Sequence, residues 1–195
     1  MTFRLGLTGS IGMGKSTTAA MFAAAGLPVW DADTAVHGLY RHGGGAVAPI
    51  TAICSEATSG GSVSREVLKR RIASDPTLLA KLEAIVHPLV AADRIAFLAH
   101  TSADIAVLDI PLLFEKSSQA EFDATLLVTS PADLQRQRVM QRPGMTEADF
   151  QTLLARQMPD AQKRSLATHI VETLDLAATN AYVISLIAHI RARHA

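Results

Sequence analysis

The chain has 195 residues, of which 49% are hydrophobic and 18% are charged, and its 18 basic residues balance its 18 acidic ones. This composition is typical of a globular protein with a substantial core and excludes an intrinsically disordered chain. Because positive charge is not in excess, we expect no nucleic-acid partner. No hydrophobic run approaches the roughly 20 residues that cross a membrane, no signal peptide precedes the first strand, and the single Cys54 forms no internal disulfide. We therefore expect a cytoplasmic protein without a membrane partner.

The first distinctive motif is Gly-Ser-Ile-Gly-Met-Gly-Lys-Ser at residues 9–16, which matches the P-loop pattern G-x-x-x-x-G-K-[ST]. Residues 3–8 predict a strand that enters this loop, and residues 17–24 predict a helix that leaves it. In such a loop, backbone amides surround phosphate oxygens, a lysine adds positive charge, and a hydroxyl binds Mg²⁺. We therefore predict ATP and Mg²⁺ as ligands, with Ser16 as a metal ligand and with nucleotide contacts from Gly12, Met13, Gly14, Lys15, Ser16 and Thr17.

A short second strand over residues 27–30 ends in two aspartates, Asp31 and Asp33. In an open α/β sheet, ligands bind at the carboxyl ends of the strands, so that Asp33 is a candidate to face a γ-phosphate. An aspartate here also serves as an N-cap for the helix predicted over residues 34–40. Both interpretations remain open for the two residues.

Residues 34–100 are predicted to be mostly helical. Helices are expected from Ala46 to Ala57, from Arg65 to Ala73 after an N-cap at Ser64, and from Asp75-Pro76 to a break at His87-Pro88, followed by a last helix over 89–100. A β-α-β crossover needs only about a dozen residues. The segment therefore predicts an inserted helical subdomain, a natural place for a second substrate, in which His87 is either a cap or a substrate contact.

The apolar strand predicted over residues 104–110 ends in Asp109. A carboxylate after a buried strand resembles a Walker B element, which orders Mg²⁺ or its waters. A simple turn residue is the alternative, but the P-loop in the same chain favours a metal role for Asp109. Another buried strand is expected over 123–129, followed by a helix whose N-cap is predicted at Ser130.

Residues 136–164 predict two helices around a Pro143-Gly144 turn. They carry six basic residues, and a hinged, arginine-bearing pair of helices suits a kinase lid that closes over phosphates. The alternative is a solvated surface pair, in which arginine is common. Arg138 is the best single candidate for a phosphate contact. A last strand over 169–172 and a closing helix over 176–194 complete the prediction.

At this point the chain resembles the dephospho-coenzyme A kinase family. The motifs that carry the resemblance follow the family's order and spacing over nearly the whole chain, at residues 7–17, 31–33, 82–90, 108–115 and 157–158. The resemblance implies a P-loop kinase fold of class α/β: a five-stranded parallel sheet flanked by helices, with a helical substrate-binding insert and a helical lid. The implied parts are a nucleotide-binding core (1–33, 101–135 and 165–195), a CoA-binding domain (34–100) and a lid (136–164).

The resemblance also implies transfer of the ATP γ-phosphate to the 3′-hydroxyl of dephospho-CoA, the last step of coenzyme A synthesis. The implied catalytic residues are Lys15, Asp33 and Arg138, and the implied acceptor contacts are Thr8, Asp33, His87, Pro111 and Leu112. The family's Asn and Gly after the last strand are absent here, where Glu172-Thr173-Leu174 stands. The alternatives are another small-molecule P-loop kinase, acting on a nucleoside or nucleotide, and a non-catalytic ATP-binding regulator.

Overall fold

A computed structural model describes residues 2–194, which form two compact units. We call the first the core unit; it comprises the residues up to Trp30 and those from Thr101 onward. The second, which we call the insert unit, runs from Asp31 to His100. The segment predicted as a lid belongs to the same unit as the sheet.

The core unit contains a parallel sheet in the order β2-β5-β1-β6-β7. Its strands, numbered in chain order, are β1 (Phe3–Thr8), β2 (Val29–Asp31), β5 (Ile105–Asp109), β6 (Ala124–Thr129) and β7 (His169–Glu172). β1 lies between β5 and β6, with Leu7 opposite Asp109 on one side and Leu126 on the other. The predicted strands are confirmed, and every residue of β5 and β6 is buried, in agreement with the largely apolar sequences of these two strands.

The described part of the core unit contains five α-helices. They are α1 (Lys15–Ala24), α6 (Ala132–Met140), α7 (Glu147–Ala155), α8 (Asp160–Leu166) and α9 (Leu176–His194). Phe22 of α1 and Val183 of α9 are fully buried in one hydrophobic cluster with Leu5, Leu7 and Leu126 of the sheet. This packing holds the P-loop between a strand and a helix that are both anchored in the core.

The insert unit has its own core. It is built from α2 (Ala32–Tyr40), α3 (Val47–Ile53), a two-stranded ribbon of β3 (Thr58–Ser59) and β4 (Ser62–Val63), α4 (Arg65–Ser74) and α5 (Thr77–His100). The predicted N-cap is confirmed, because the Ser64 hydroxyl accepts a hydrogen bond from the Val67 amide at 3.3 Å. A second hydrophobic cluster joins Ile50, Leu68, Leu78, Leu82 and Val86.

Two predictions for the insert unit were wrong. His87-Pro88 does not separate two helices, because α5 continues through Pro88 to His100. Proline removes one hydrogen bond, to the carbonyl of Ala84. Ala84 and Pro88 are both exposed, so this carbonyl is on a face of the helix where the lost hydrogen bond carries no burial penalty. The predicted helix from Ala46 to Ala57 ends at Ile53, and its last residues form a single 3₁₀ turn before the ribbon.

Two predictions for the core unit also needed correction. Ser130 does not cap α6; its amide and hydroxyl donate to the sulfur of Met13 at 3.0 and 3.2 Å. The segment 136–164 contains parts of three helices rather than two, since α8 follows α7 after the Pro159 turn. Among residues 2–194, no helix combines the length and the hydrophobicity needed to span a membrane.

Candidate active site

The P-loop follows β1 and has the geometry its glycines predict. Gly12 and Gly14 adopt positive φ angles of 77° and 92°, which are strained for any residue with a side chain. A Cβ at Gly14 would also lie 3.0 Å from the Thr173 hydroxyl. α1 begins directly after Gly14, at Lys15. The helix therefore presents its positive end at the loop, the arrangement that binds phosphate in other proteins.

Lys15 forms an ion pair with Asp109, the last residue of β5. The carboxylate is almost completely buried, with 3% of the side chain exposed, and the lysine side chain is 14% exposed. The two residues come together because β1 and β5 are hydrogen-bonded neighbours whose carboxyl ends meet at one edge of the sheet. The structure thus unites the P-loop lysine with the predicted Walker B-like carboxylate.

The Ile11 peptide, at the crown of the loop, is held on both sides by glutamines. Its amide donates to Oε1 of Gln157 at 3.1 Å, and its carbonyl accepts from Nε2 of Gln135 at 2.7 Å. Gln135 lies on α6, and Gln157 lies between α7 and α8. Glutamine side chains from α6 and from the α7–α8 connection therefore fix the P-loop through hydrogen bonds to its backbone.

Arg138 reaches the P-loop through Thr173. Its guanidinium donates to the Thr173 hydroxyl at 2.9 Å and to the Thr173 carbonyl at 2.7 Å. The same hydroxyl donates to the carbonyl of Met13 at 2.8 Å. Thr173, where the sequence departs from the family pattern, is therefore a buried link between Arg138 and the P-loop backbone.

A second ion pair, between Lys163 and Glu115, contacts the loop at Ser10. The amine of Lys163 contacts Oε1 of Glu115 at 2.8 Å and donates to the Ser10 hydroxyl at 3.0 Å. Oε1 of Glu115 also accepts from the Met158 amide at 2.9 Å. Burial raises the pKa of the Glu115 carboxyl, but these hydrogen bonds outweigh burial and hold the pKa below its usual value.

The remaining predicted residues of the core unit differ in exposure. The Thr8 hydroxyl is buried and donates to the Pro111 carbonyl at 3.4 Å. Leu112, Ser16 and Thr17 are exposed, so that they are available to a ligand. The structure therefore places Thr8 and Pro111 in one contact beside β1, whereas the roles of Pro111 and Leu112 toward an acceptor stay predictions.

Asp31 and Asp33 have different environments. The Asp31 carboxylate accepts from the Thr34 amide at 2.5 Å and is the N-cap of α2. Asp33 lies in the first turn of α2 with an exposed side chain. Its backbone carbonyl accepts from Arg65 at 3.4 Å, and the Arg65 guanidinium lies 5.7 Å from the ring centre of Tyr40. The capping role thus belongs to Asp31, and the carboxylate of Asp33 remains available for chemistry.

His87 lies in the middle of α5, and its side chain is 57% exposed. Glu83 lies one turn earlier on the helix, with 3.9 Å between Nε2 of His87 and Oε1 of Glu83. The helix-cap interpretation is therefore wrong, since His87 lies more than two turns from either end of α5. A contact with a substrate stays a prediction.

Sequence analysis missed several residues that hold the P-loop. Lys163 was counted only as one of the basic residues of the lid, and Gln135, Gln157 and Thr173 were given no role. Each acts through a contact more than 30 residues away along the chain, and local periodicity carries no signal for such pairs.

The chain matches known proteins over nearly its whole length. The family model described as dephospho-CoA kinase matches residues 3–177. The dephospho-CoA kinase of Cereibacter sphaeroides is 66% identical over 97% of this chain and 96% of its own length, and that of Jannaschia sp. is 54% identical over 96% and 97%. A crystal structure from Thermus thermophilus superposes with a TM-score of 0.82 at 32% identity, covering 96% of this chain and 97% of the other.

A solved dephospho-CoA kinase from Campylobacter jejuni has a TM-score of 0.71 at 22% identity and covers 97% of this chain and 98% of its own. At that identity the likeness concerns the fold, which is that of the P-loop kinases. The chain therefore belongs to the dephospho-CoA kinase family.

Proposed function

We propose that this protein transfers the γ-phosphoryl group of ATP to the 3′-hydroxyl of the ribose of dephospho-CoA, giving coenzyme A. The observation that carries the proposal is the family match over residues 3–177, which includes a complete P-loop. Transfer between two phosphate-bearing substrates requires above all the neutralisation of negative charge. The backbone amides of the P-loop, the N-terminus of α1 and the Lys15 amine supply it.

Lys15 must change partners for this to happen. In the ion pair with Asp109, its charge is compensated by a carboxylate of the protein. Phosphate oxygens of ATP offer the ammonium group a stronger anionic partner. We infer that ATP binding transfers Lys15 from Asp109 to the phosphates and leaves the Asp109 carboxylate for a different role.

The residues at the loop fit a magnesium ion. Mg²⁺ prefers oxygen ligands and binds proteins through one or two side chains, together with substrate phosphates and water. Ser16 offers an exposed hydroxyl, and Asp109 offers a carboxylate on the neighbouring strand end. When bound, such an ion would neutralise charge on the β- and γ-phosphates. Among residues 2–194 no group of three or more His, Cys, Asp or Glu is placed to hold a metal ion.

We assign to Asp33 the orientation of the acceptor hydroxyl. Its carboxylate is exposed, and its helix turn is fixed by the Asp31 cap and by the Arg65 hydrogen bond to its carbonyl. A phosphoryl transfer with a loose transition state needs a hydroxyl that is held in line more than it needs a strong base. The guanidinium of Arg138 would have to give up its hydrogen bonds to Thr173 in order to reach and stabilise the transferring phosphoryl group.

Mass spectrometry tests the proposed reaction. Purified protein is incubated with dephospho-CoA, ATP and Mg²⁺, and the expected product carries one additional phosphate. Parallel incubations with nucleosides and nucleoside monophosphates test for a different small-molecule kinase. A product from one of these acceptors, with dephospho-CoA unchanged, would contradict the proposal, and unchanged acceptors throughout would favour an ATP-binding regulator.

A further inference from the structure

Lys163 lies in an unusual environment for a lysine. Its side chain is fully buried, although α8 is short and its neighbours Gln162 and Arg164 are exposed. Burying an ammonium group carries a large desolvation penalty unless hydrogen bonds and an opposite charge compensate it. Glu115 supplies the charge at 2.8 Å, and the Ser10 hydroxyl supplies a second acceptor at 3.0 Å.

The contact with Ser10 reaches the first half of the P-loop. The Ser10 carbonyl accepts a hydrogen bond from the Met13 amide at 3.2 Å, which closes the turn that carries Gly12. A displaced Ser10 would therefore shift the turn from which the phosphate-binding amides of residues 12–17 project. The Ile11 peptide next to it is fixed separately by Gln135 and Gln157.

The ion pair between Lys163 and Glu115 satisfies only one of the two Glu115 carboxylate oxygens within the described residues. Oε1 of Glu115 accepts from Lys163 and from the Met158 amide, whereas in the described part of the chain its buried Oε2 has no hydrogen-bond partner. A buried ion pair that leaves an oxygen unsatisfied contributes little to stability compared with an apolar replacement. Its arrangement is better suited to fixing the positions of the three segments that it joins.

We propose that Lys163 is a positioning residue for ATP binding, which holds Ser10 and thereby keeps the P-loop in its phosphate-binding conformation. The inference rests on the proposed function only in that the P-loop binds ATP; it does not depend on which acceptor is phosphorylated. Lys163 acts through Ser10, and Glu115 fixes Lys163 by neutralising its charge.

ATP binding measured by titration calorimetry in the presence of Mg²⁺ tests this role without using the acceptor. We expect Ser10→Ala, which leaves the Lys163–Glu115 pair intact, to weaken ATP binding about tenfold, the effect of losing one hydrogen bond to a charged group. Lys163→Met is expected to weaken it at least as much. Because Lys163→Met leaves Glu115 buried without its cation, the double variant Lys163→Met/Glu115→Gln keeps the test valid if the single variant does not fold.

Additivity separates positioning from general destabilisation. Adding Ser10→Ala to Lys163→Met/Glu115→Gln is expected to weaken ATP binding no further, because both changes remove the same contact. Gln162→Met introduces the same side chain at an exposed position of α8 and should leave the affinity unchanged. Parent affinity for ATP in Ser10→Ala, or multiplicative losses in the combined variant, would overturn the inference. A parent enzyme that binds ATP but does not phosphorylate dephospho-CoA would contradict only the proposed function.

Discussion

Lys15, the first residue of α1, is held by Asp109, the last residue of β5, in an ion pair that is largely shielded from water. The pair lies where the P-loop and the neighbouring strand end meet. A lysine restrained in this way is already beside the loop before a nucleotide arrives. ATP phosphates then compete with a single carboxylate for it, rather than having to order a flexible side chain.

Removing the Lys15 charge should stop catalysis. We expect Lys15→Ala to lower kcat by at least about 100-fold, because loss of one group that stabilises transition-state charge commonly has an effect of this size. Steady-state assays with ATP and dephospho-CoA measure it, and circular dichroism checks the fold. Lys116→Ala, a change of an exposed lysine, serves as the control. A Lys15→Ala enzyme with normal kcat would contradict the role of the P-loop.

Asp31, the last residue of β2, and Asp33, in the first turn of α2, allow a matched pair of substitutions. Asp33→Asn should lower kcat far more than it weakens ATP binding, because its carboxylate is assigned to the acceptor and not to the nucleotide. Asp31→Asn should change neither greatly, since asparagine caps a helix about as well as aspartate. Comparison of kcat with the dissociation constant for ATP decides the matter. Near-parental turnover in Asp33→Asn would mean that the assigned role is wrong.

Thr173 and Arg138 can be separated by substitution. Thr173→Val deletes the hydroxyl that links Arg138 to the Met13 carbonyl but keeps its volume. We expect ATP binding to weaken by at least a factor of about 5, the effect of losing the neutral hydrogen bond to Met13 alone. Arg138→Ala should in addition lower kcat by about 100-fold if its guanidinium stabilises the transferring group. Measurement of both parameters distinguishes the two effects.

The control for Arg138 lies two residues earlier. Arg136 is exposed and pairs with Glu147 at 2.8 Å, so that Arg136→Ala should leave kcat and ATP binding unchanged. If Arg138→Ala and Thr173→Val had the same effects, Arg138 would act only by fixing the P-loop, and its predicted contact with phosphate would be wrong.

His169 should make the stability of the protein depend on pH. Its pKa is lowered by burial and then by the charges of His189 and Arg193, so the unfolded chain binds this proton more readily than the native protein. The contribution is complete above the unfolded pKa of about 6.5, begins to be lost as the pH falls below that value, and is fully lost once the pH has fallen through the lower native pKa. We expect His169→Asn to flatten the pH dependence of the free energy of unfolding.

Urea denaturation at several pH values between about 5 and 8 measures this dependence. His37→Asn, on an exposed face of the insert unit, should retain the parental slope. An unchanged slope in His169→Asn would show that another group is responsible.

Local signals predicted most of the fold. Apolar runs identified β5 and β6, and the Ser64 cap confirmed a predicted helix start. The P-loop was predictable because its glycines, lysine and serine meet local requirements of conformation and charge. These features depend on residues that are close in sequence, which is why sequence analysis found them.

Where tertiary contacts override local preference, the prediction was wrong. Pro88 is a helix breaker by propensity, but α5 tolerates it at an exposed position. Ser130 has the chemistry of an N-cap, yet the Met13 sulfur lies within reach and takes its hydrogen bonds. The β3–β4 ribbon has only two residues in each strand, too few for a periodic signal.

The site shows the same limit. Lys15 and Asp109 were predictable as candidates, but their pairing depends on the order of strands in the sheet. Lys163, Gln135 and Thr173 were invisible to sequence analysis because their partners lie far away in the chain. Residues that support a loop from distant parts of the chain can be recognised only once the fold is known.

Oxidation of the Met13 sulfur should provide a way to measure the opening of the P-loop. The Met13 residue is 4% exposed and its sulfur accepts hydrogen bonds from Ser130, so we expect oxidants to reach the sulfur only when the loop opens. Oxidation to the sulfoxide would replace an apolar, buried thioether with a larger polar group and prevent the loop from closing again. Peroxide treatment followed by peptide mapping should therefore oxidise Met13 slowly in the free protein and more slowly still with ATP bound. The rate of this one reaction would measure how often the nucleotide-binding loop opens.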